Sequence, residues 1–144
     1  MRGHLVAAQA ELWIDVPFAW QGRVRAGCDC KGLVAGIAAE LGFAEGDSLA
    51  ALAGDYGPRV DVARLKAGLR GLFDQVQDRQ PGDLLLCRWG GGPQHLAIAA
   101  PLPDAPERVI EAMPGGPARV RPGRVSHGRV DSIWRWKPLG RELG

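Results

Sequence analysis

Two cysteines, Cys28 and Cys30, stand one residue apart in the stretch RAGCDCKGLVAGIAAELG, with Asp29 between them and an apolar run behind. The chain has only three cysteines, so the pair asks for a chemical reason: a disulfide, a metal site, a reactive thiol or packing. An odd count argues against a disulfide framework, and two residues this close in sequence do not form an unstrained bridge. Structural zinc takes four ligands, usually as two C-x(2–4)-C pairs, whereas here the spacing is C-x-C and Cys87 stands alone, so no metal is expected. Reduced thiols remain. For Cys30 the choice lies between a reactive thiol and packing.

Local structure bears on that choice. Apolar residues at Leu33, Val34, Ile37, Ala38 and Leu41 mark one helical face, and Gly42 is a natural stop. The pattern predicts a helix beginning at or near Cys30 with Asp29 as its cap, which puts the sulfur among unpaired N–H groups at the positive end of the helix dipole. Such surroundings lower a thiol pKa. A thiolate there needs a base, and the chain has three histidines. His4 lies in or before a first helix, and His127 lies in the turn-rich PGRVSHGRV. His95 opens a strand, HLAIA, whose alternation sets His95, Ala97 and Ala99 on one face, with small residues leaving room beside the imidazole. In RVIEA, Val109 and Glu111 share a face. If these strands are antiparallel neighbours, Glu111 meets His95 across the ladder, fixes its tautomer and stabilises the imidazolium. On spacing alone two plainer readings stay open: a structural or surface histidine, and a glutamate facing water.

The elements that must position these residues follow from the pattern of apolar runs. Helices are expected over His4 to Ile14, from about Cys30, and over VDVARLKAGLRGLF, where Val62, Leu65, Leu69 and Leu72 recur at helical spacing although Gly68 and Gly71 weaken it. Residues 43–59 read as loop. After RQPGD come short apolar runs, DLLLCRW, HLAIAA, RVIEAM, ARVR and SIWRW, parted by turns such as GGGPQ and PLPDAPE, which predict an antiparallel sheet of four to six strands. The expected fold is α+β, N-terminal helices packed on one face of a C-terminal antiparallel sheet, in a single domain over residues 1–144. A content of 46% apolar and 24% charged residues suits a packed core, and a net charge of +2 is too small to announce a nucleic-acid partner. The later arginines Arg119, Arg121, Arg124 and Arg129 read as a solvated basic strip. No apolar run approaches the ~18 residues of a membrane span, and the opening MRGHLVAAQAELWID reaches Glu11 before a signal-peptide core forms, so neither membrane insertion nor an export signal is expected.

Four stretches, PFAWQG, GCDCKGLV, PGDLLLCRW and QHLAIA, occur in the order of motifs in a known family. They resemble P-Y-x-W-G-G, D-C-S-G-L, P-G-D-L and H-V-G-I of the NlpC/P60 cysteine peptidases, and the likeness spans most of the chain. The GCDC form, the following GDYGP loop and the single-domain length are similar to the subgroup found in phage and phage-like tails, including gene transfer agents. The resemblance implies a papain-like half-fold and hydrolysis of peptide bonds in bacterial cell-wall peptidoglycan, with no cofactor. By position it implies Cys30 as nucleophile, His95 as base and Glu111 as the third polar residue, with Trp20, beside the cleft, Asp29 and Lys31 toward the substrate. It also implies tail or baseplate proteins as partners, manufacture in the cytoplasm, carriage in a virion or gene-transfer-agent tail, and action at the periplasm or cell wall of a target cell.

Two positions depart from the family pattern. Lys31 stands where Ser or another small or apolar residue is usual, and Glu111 where His, Asn or Gln is usual. Lys31 is placed to help lower the Cys30 pKa, but a solvated helix-face lysine is the preferred reading. Cys28 reads as a buried small apolar residue rather than a regulatory thiol, and Cys87 as packing inside a strand. Two other functions stay open on sequence: a non-catalytic tail or wall-binding module that keeps the fold, and an amidase or acyltransferase using the same Cys–His dyad.

Overall fold

Residues 2–52, 61–89, 92–125 and 127–138 are described by a computed structural model of the chain. Helix α1 (Arg2–Glu11) comes first, then a hairpin of two short strands, β1 (Arg23–Val24) and β2 (Gly27–Cys28), then helices α2 (Cys30–Glu40), α3 (Gly46–Ala51) and α4 (Val62–Leu72). Strands β3 (Phe73–Val76), β4 (Leu84–Trp89), β5 (Gly92–Ala99), β6 (Arg108–Met113) and β7 (Arg119–Arg124) follow, and a 3-10 turn at His127–Arg129 leads into β8 (Val130–Trp136). Strands β3 to β8 form one antiparallel sheet in the order β3-β8-β4-β5-β6-β7. The α+β arrangement and the strand count are as expected.

Three elements differ from the sequence reading. Helix α3 lies within the stretch read as loop, because six residues are too few to show a 3.6-residue period. Strand β3 follows α4 without a turn: Phe73 is already extended, at φ −133° and ψ 162°, so no Gly or Pro marks the change. The β1–β2 hairpin is too short to show alternation. The GDYGP loop lies outside the described residues.

Alternation along the strands sorts the sheet into two faces. Leu84, Leu86, Leu96, Ile98, Ile110, Ala112, Trp134 and Trp136 face the helices, where they pack with Val6, Leu33, Val34, Ile37, Leu65 and Leu69 in the main core. A smaller cluster, including Leu85, Cys87, Ala97, Ala99 and Val109, occupies the other face. Helix α2 is buried on every side from Cys30 to Ala38. Two glycines make that possible. A Cβ at Gly32 would collide with the Gly22 carbonyl, and one at Gly36 with the Arg23 carbonyl and the Trp13 ring, so the chain before α2 crosses directly over its backbone. The helix closes where the sequence placed its stop. Gly42 takes φ +71°, its N–H bonds the Ala39 carbonyl at 3.1 Å, and the Phe43 N–H bonds the Ala38 carbonyl at 2.9 Å.

A stretch without regular structure, residues 15–22, ties the sheet edge to the start of α2. Asp15 and Val16 exchange backbone hydrogen bonds of 2.8 Å with Val120 on β7, and the Phe18 N–H bonds the Ala118 carbonyl at 2.9 Å. The same stretch then bonds Cys28 on both sides, Cys28 N–H to Pro17 and Ala19 N–H to Cys28, each at 3.0 Å. It covers the open edge of β7 and fixes where α2 begins. The PGD motif has a structural task as well. Buried Asp83 accepts the Gln80 N–H at 2.7 Å and a two-pronged contact from Arg135 at 3.0 and 2.8 Å.

Candidate active site

Asp29 sets the site's first coordinate. Its backbone is extended, at φ −103° and ψ −172°, and its side chain caps α2: Oδ1 accepts the Gly32 N–H at 2.7 Å. Oδ2 accepts the Gln21 N–H at 2.5 Å, which holds Gln21 in a left-handed conformation, φ +62°, that few residues other than glycine adopt. The Asp29 carbonyl accepts the Leu33 N–H at 2.8 Å. Cys30 is therefore the first residue of a capped helix, among N–H groups that have no partner within the helix. The sequence placed Asp29 toward a substrate as well as at the cap, and the structure shows it at the cap. The residue is fully buried and both carboxylate oxygens are turned inward to backbone donors.

Strands β5 and β6 supply the other two groups. They pair at Ile98↔Ile110 and Ala99↔Val109, and farther along, His95 Nε2 meets Glu111 Oε1 at 2.7 Å. Helix α2 packs against both strands, and the imidazole also hydrogen-bonds Cys30. With Nε2 donating to the carboxylate, Nδ1 is the ring nitrogen left for the thiol. Cys30 and His95 are each 5% exposed and Glu111 8%. Burial alone would disfavour a charged imidazole. The hydrogen bonds to Cys30 and Glu111, with the charges of those two groups, outweigh it and hold the His95 pKa at about 9. The site thus favours an imidazolium between a sulfur and a carboxylate, an arrangement able to activate a thiol as a nucleophile.

A glycine missed by the sequence reading makes room for Glu111. A Cβ at Gly123, across on β7, would overlap Glu111 Oε2. Its backbone needs no glycine in this extended strand, so the side-chain space is the reason for the residue type. The signal, a glycine inside a strand pattern, was present in RVRPGR.

The remaining cysteines differ from Cys30. Cys28 is fully buried in the main core, and burial, then the neighbouring Asp29 and Cys30, push its thiol up to about 12. Cys87 is likewise pushed to about 12 by burial and next by Glu111, and its Sγ lies 3.4 Å from the Leu85 carbonyl. Both stay protonated and unreactive at neutral pH. Cys87 pairs directly with His95 across β4 and β5, so it packs behind the imidazole rather than in the distant core.

Lys31 is not on a solvated face. It is 2% exposed, because α2 is enclosed on all sides and has no solvated face to offer. Trp20 is 62% exposed on the segment that crosses the start of α2, with its ring edge-on to Phe18 at 4.9 Å. Among the described residues no group of three or more His, Cys, Asp or Glu is arranged to hold a metal ion, and no helix is long and apolar enough to cross a membrane.

No family model matches the sequence, and no curated protein does. Solved structures do match. The NlpC/p60 domain of the peptidoglycan hydrolase SagA is 25% identical, with a TM-score of 0.62 over 93% of this chain and 98% of its own. The P60 domain of an antigen from M. avium subspecies paratuberculosis is 19% identical, with a TM-score of 0.60 over 92% of this chain and 93% of its own. The peptidoglycan hydrolase RipB from Mycobacterium tuberculosis is 20% identical, with a TM-score of 0.58 over 94% of this chain and 65% of its own. Helices laid on a six-stranded antiparallel sheet, in this order, are the fold of NlpC/P60 domains.

Proposed function

We propose that this chain is a cysteine peptidase of the NlpC/P60 kind that hydrolyses peptide bonds in bacterial cell-wall peptidoglycan. One observation carries the reading: a buried His95 bonded on one side to Cys30, at the start of a capped helix, and on the other to Glu111 at 2.7 Å. Two of the similar structures are of peptidoglycan hydrolases, which supports the choice of substrate. A binding module with no chemistry to perform has no use for a thiol, an imidazole and a carboxylate held in line at the cost of burying all three.

The reaction is acyl transfer in two stages. The Cys30 thiolate, whose proton has passed to His95, attacks the scissile carbonyl carbon, and the carbonyl π electrons move to oxygen, where N–H groups at the start of α2 are placed to bind the oxyanion. As the tetrahedral intermediate collapses, the C–N bond breaks and His95 gives its proton to the departing amine. Water, deprotonated by His95, then attacks the thioester, and C–S cleavage releases a carboxylic acid and restores the Cys30 thiolate beside a protonated His95. Glu111 holds the imidazole in one tautomer and balances its charge throughout.

Carriage by a phage or gene-transfer-agent tail is the finer part of this reading, and it rests on the GCDC and GDYGP stretches. On this account the chain is made in the producing cell, travels with tail or baseplate proteins and acts at the wall of the target cell. The activity is tested by digesting purified peptidoglycan and weighing the fragments by mass spectrometry. A peptidase releases peptides with new amino termini, and a digest without them refutes the reading. Carriage is tested by purifying intact particles, where absence of the chain would remove the tail assignment and leave the hydrolysis untouched.

A further inference from the structure

His95 and Glu111 form part of the wall of a pocket of about 230 Å³ that is also lined by Arg88, Arg124 and Arg129. The charges around it do not cancel. Arg88 lies 3.3 Å from Asp131, which also holds Lys66 at 2.8 Å, so that arginine has a carboxylate partner but shares it with a second cation. His95 and Glu111 compensate each other at 2.7 Å. Cys87, on the same wall, is a neutral thiol. Arg124 and Arg129 are exposed and have no carboxylate partner among the described residues, which leaves two uncompensated guanidinium groups facing a pocket beside the reacting groups. The basic strip read from the sequence as merely solvated thus has two members that line this pocket.

A guanidinium presents a planar fork of donors that matches a carboxylate and takes it in preference to the neutral carboxamide of the same shape. We propose that this pocket is a subsite for a free carboxylate of the bound peptide, gripped by Arg124 and Arg129, and that it makes the protein select acidic peptides over their amidated forms. The choice of a wall peptide as ligand rests on the function proposed above; the anion site itself rests on the pocket and its charges.

The test uses one wall peptide with its carboxylates free and the same peptide with them amidated. Binding of each is titrated calorimetrically to Cys30→Ala, which separates recognition from turnover, and hydrolysis of each is followed with the Cys30 protein. The free acid is expected to bind about tenfold more tightly, the contribution of one charge-assisted contact. In an added Arg124→Gln/Arg129→Gln pair the preference should fall toward one, while Arg64→Gln/Arg70→Gln, an equal change of charge at exposed positions of α4 away from the pocket, should keep it. Equal binding of the two peptides, or a preference that survives loss of both arginines, overturns the subsite. The two proposals fail separately. Selective binding without any hydrolysis sinks the peptidase and keeps the subsite, whereas hydrolysis of acid and amide at equal kcat/KM keeps the peptidase and sinks the subsite.

Discussion

Replacing Glu111 by Gln keeps the side chain's size and hydrogen-bonding capacity but removes the charge that faces His95 at 2.7 Å. In the intact site the His95 pKa is about 9 against an ordinary 6.5, so the imidazolium survives as pH rises through the usual histidine range and is lost only near 9. An opposite charge at this separation typically moves a pKa by one to three units, so its loss should lower the alkaline limit of activity by about 1.5 units, or about 2 kcal/mol. The sign is fixed: a group whose protonated form loses a stabilising anion gives up its proton at lower pH. At pH 8 the imidazolium fraction would fall from roughly 90% to roughly a quarter, a fourfold loss from protonation alone, on top of any loss from a less firmly held ring. The assay is kcat/KM on a soluble wall peptide from pH 5 to 10 for the parent, Glu111→Gln and Glu111→Ala. Three superimposable profiles would show that Glu111 does not govern the imidazole and would reduce the site to a Cys30–His95 dyad.

Other outcomes follow from the same geometry. Gly123→Ala should displace the Glu111 carboxylate and reproduce part of the Glu111→Gln shift in the pH profile, with circular dichroism unchanged; a parental profile would show that the carboxylate relocates without consequence. Asp29→Ala removes the cap of α2 and the anchor of Gln21, which should cost about 2 kcal/mol and lower Tm by several degrees; an unchanged Tm would mean that water replaces both bonds. Cys28→Ala and Cys87→Ala should retain substantial hydrolysis because both thiols are buried and protonated, and abolition by either would place a second sulfur in the chemistry.

The placement of Cys30, His95 and Glu111 was easier to read from the sequence than the surroundings that enclose them. Asp29 before Cys30, and apolar residues at helical spacing up to Gly42, located α2 to within a residue, because a cap, a period and a stop are all local signals. The alternation of HLAIA and RVIEA put His95 and Glu111 on matching faces, and the pairing of β5 with β6 brings them together. What failed depended on packing from distant parts of the chain. Lys31 read as solvated because nothing local reveals that α1, α3 and the β1–β2 hairpin enclose α2. Asp29 read as available to a substrate because the second donor to its carboxylate, the Gln21 N–H, comes from a segment that must fold back over the helix start. Arg124 and Arg129 share a pocket with His95 only once β5, β6 and β7 lie side by side.

The central claim is that the Cys30 sulfur is the nucleophile, and site-resolved alkylation measured against activity tests it most directly. The protein is treated with a small amount of iodoacetamide at neutral pH, and samples are divided between a peptidoglycan-hydrolysis assay and peptide mass spectrometry that reports Cys28, Cys30 and Cys87 separately. The account predicts that Cys30 is modified first and that the fraction of activity lost equals the fraction of Cys30 alkylated at every time point. Full alkylation of Cys30 with hydrolysis intact, or loss of hydrolysis that tracks Cys28 or Cys87 instead, would contradict it.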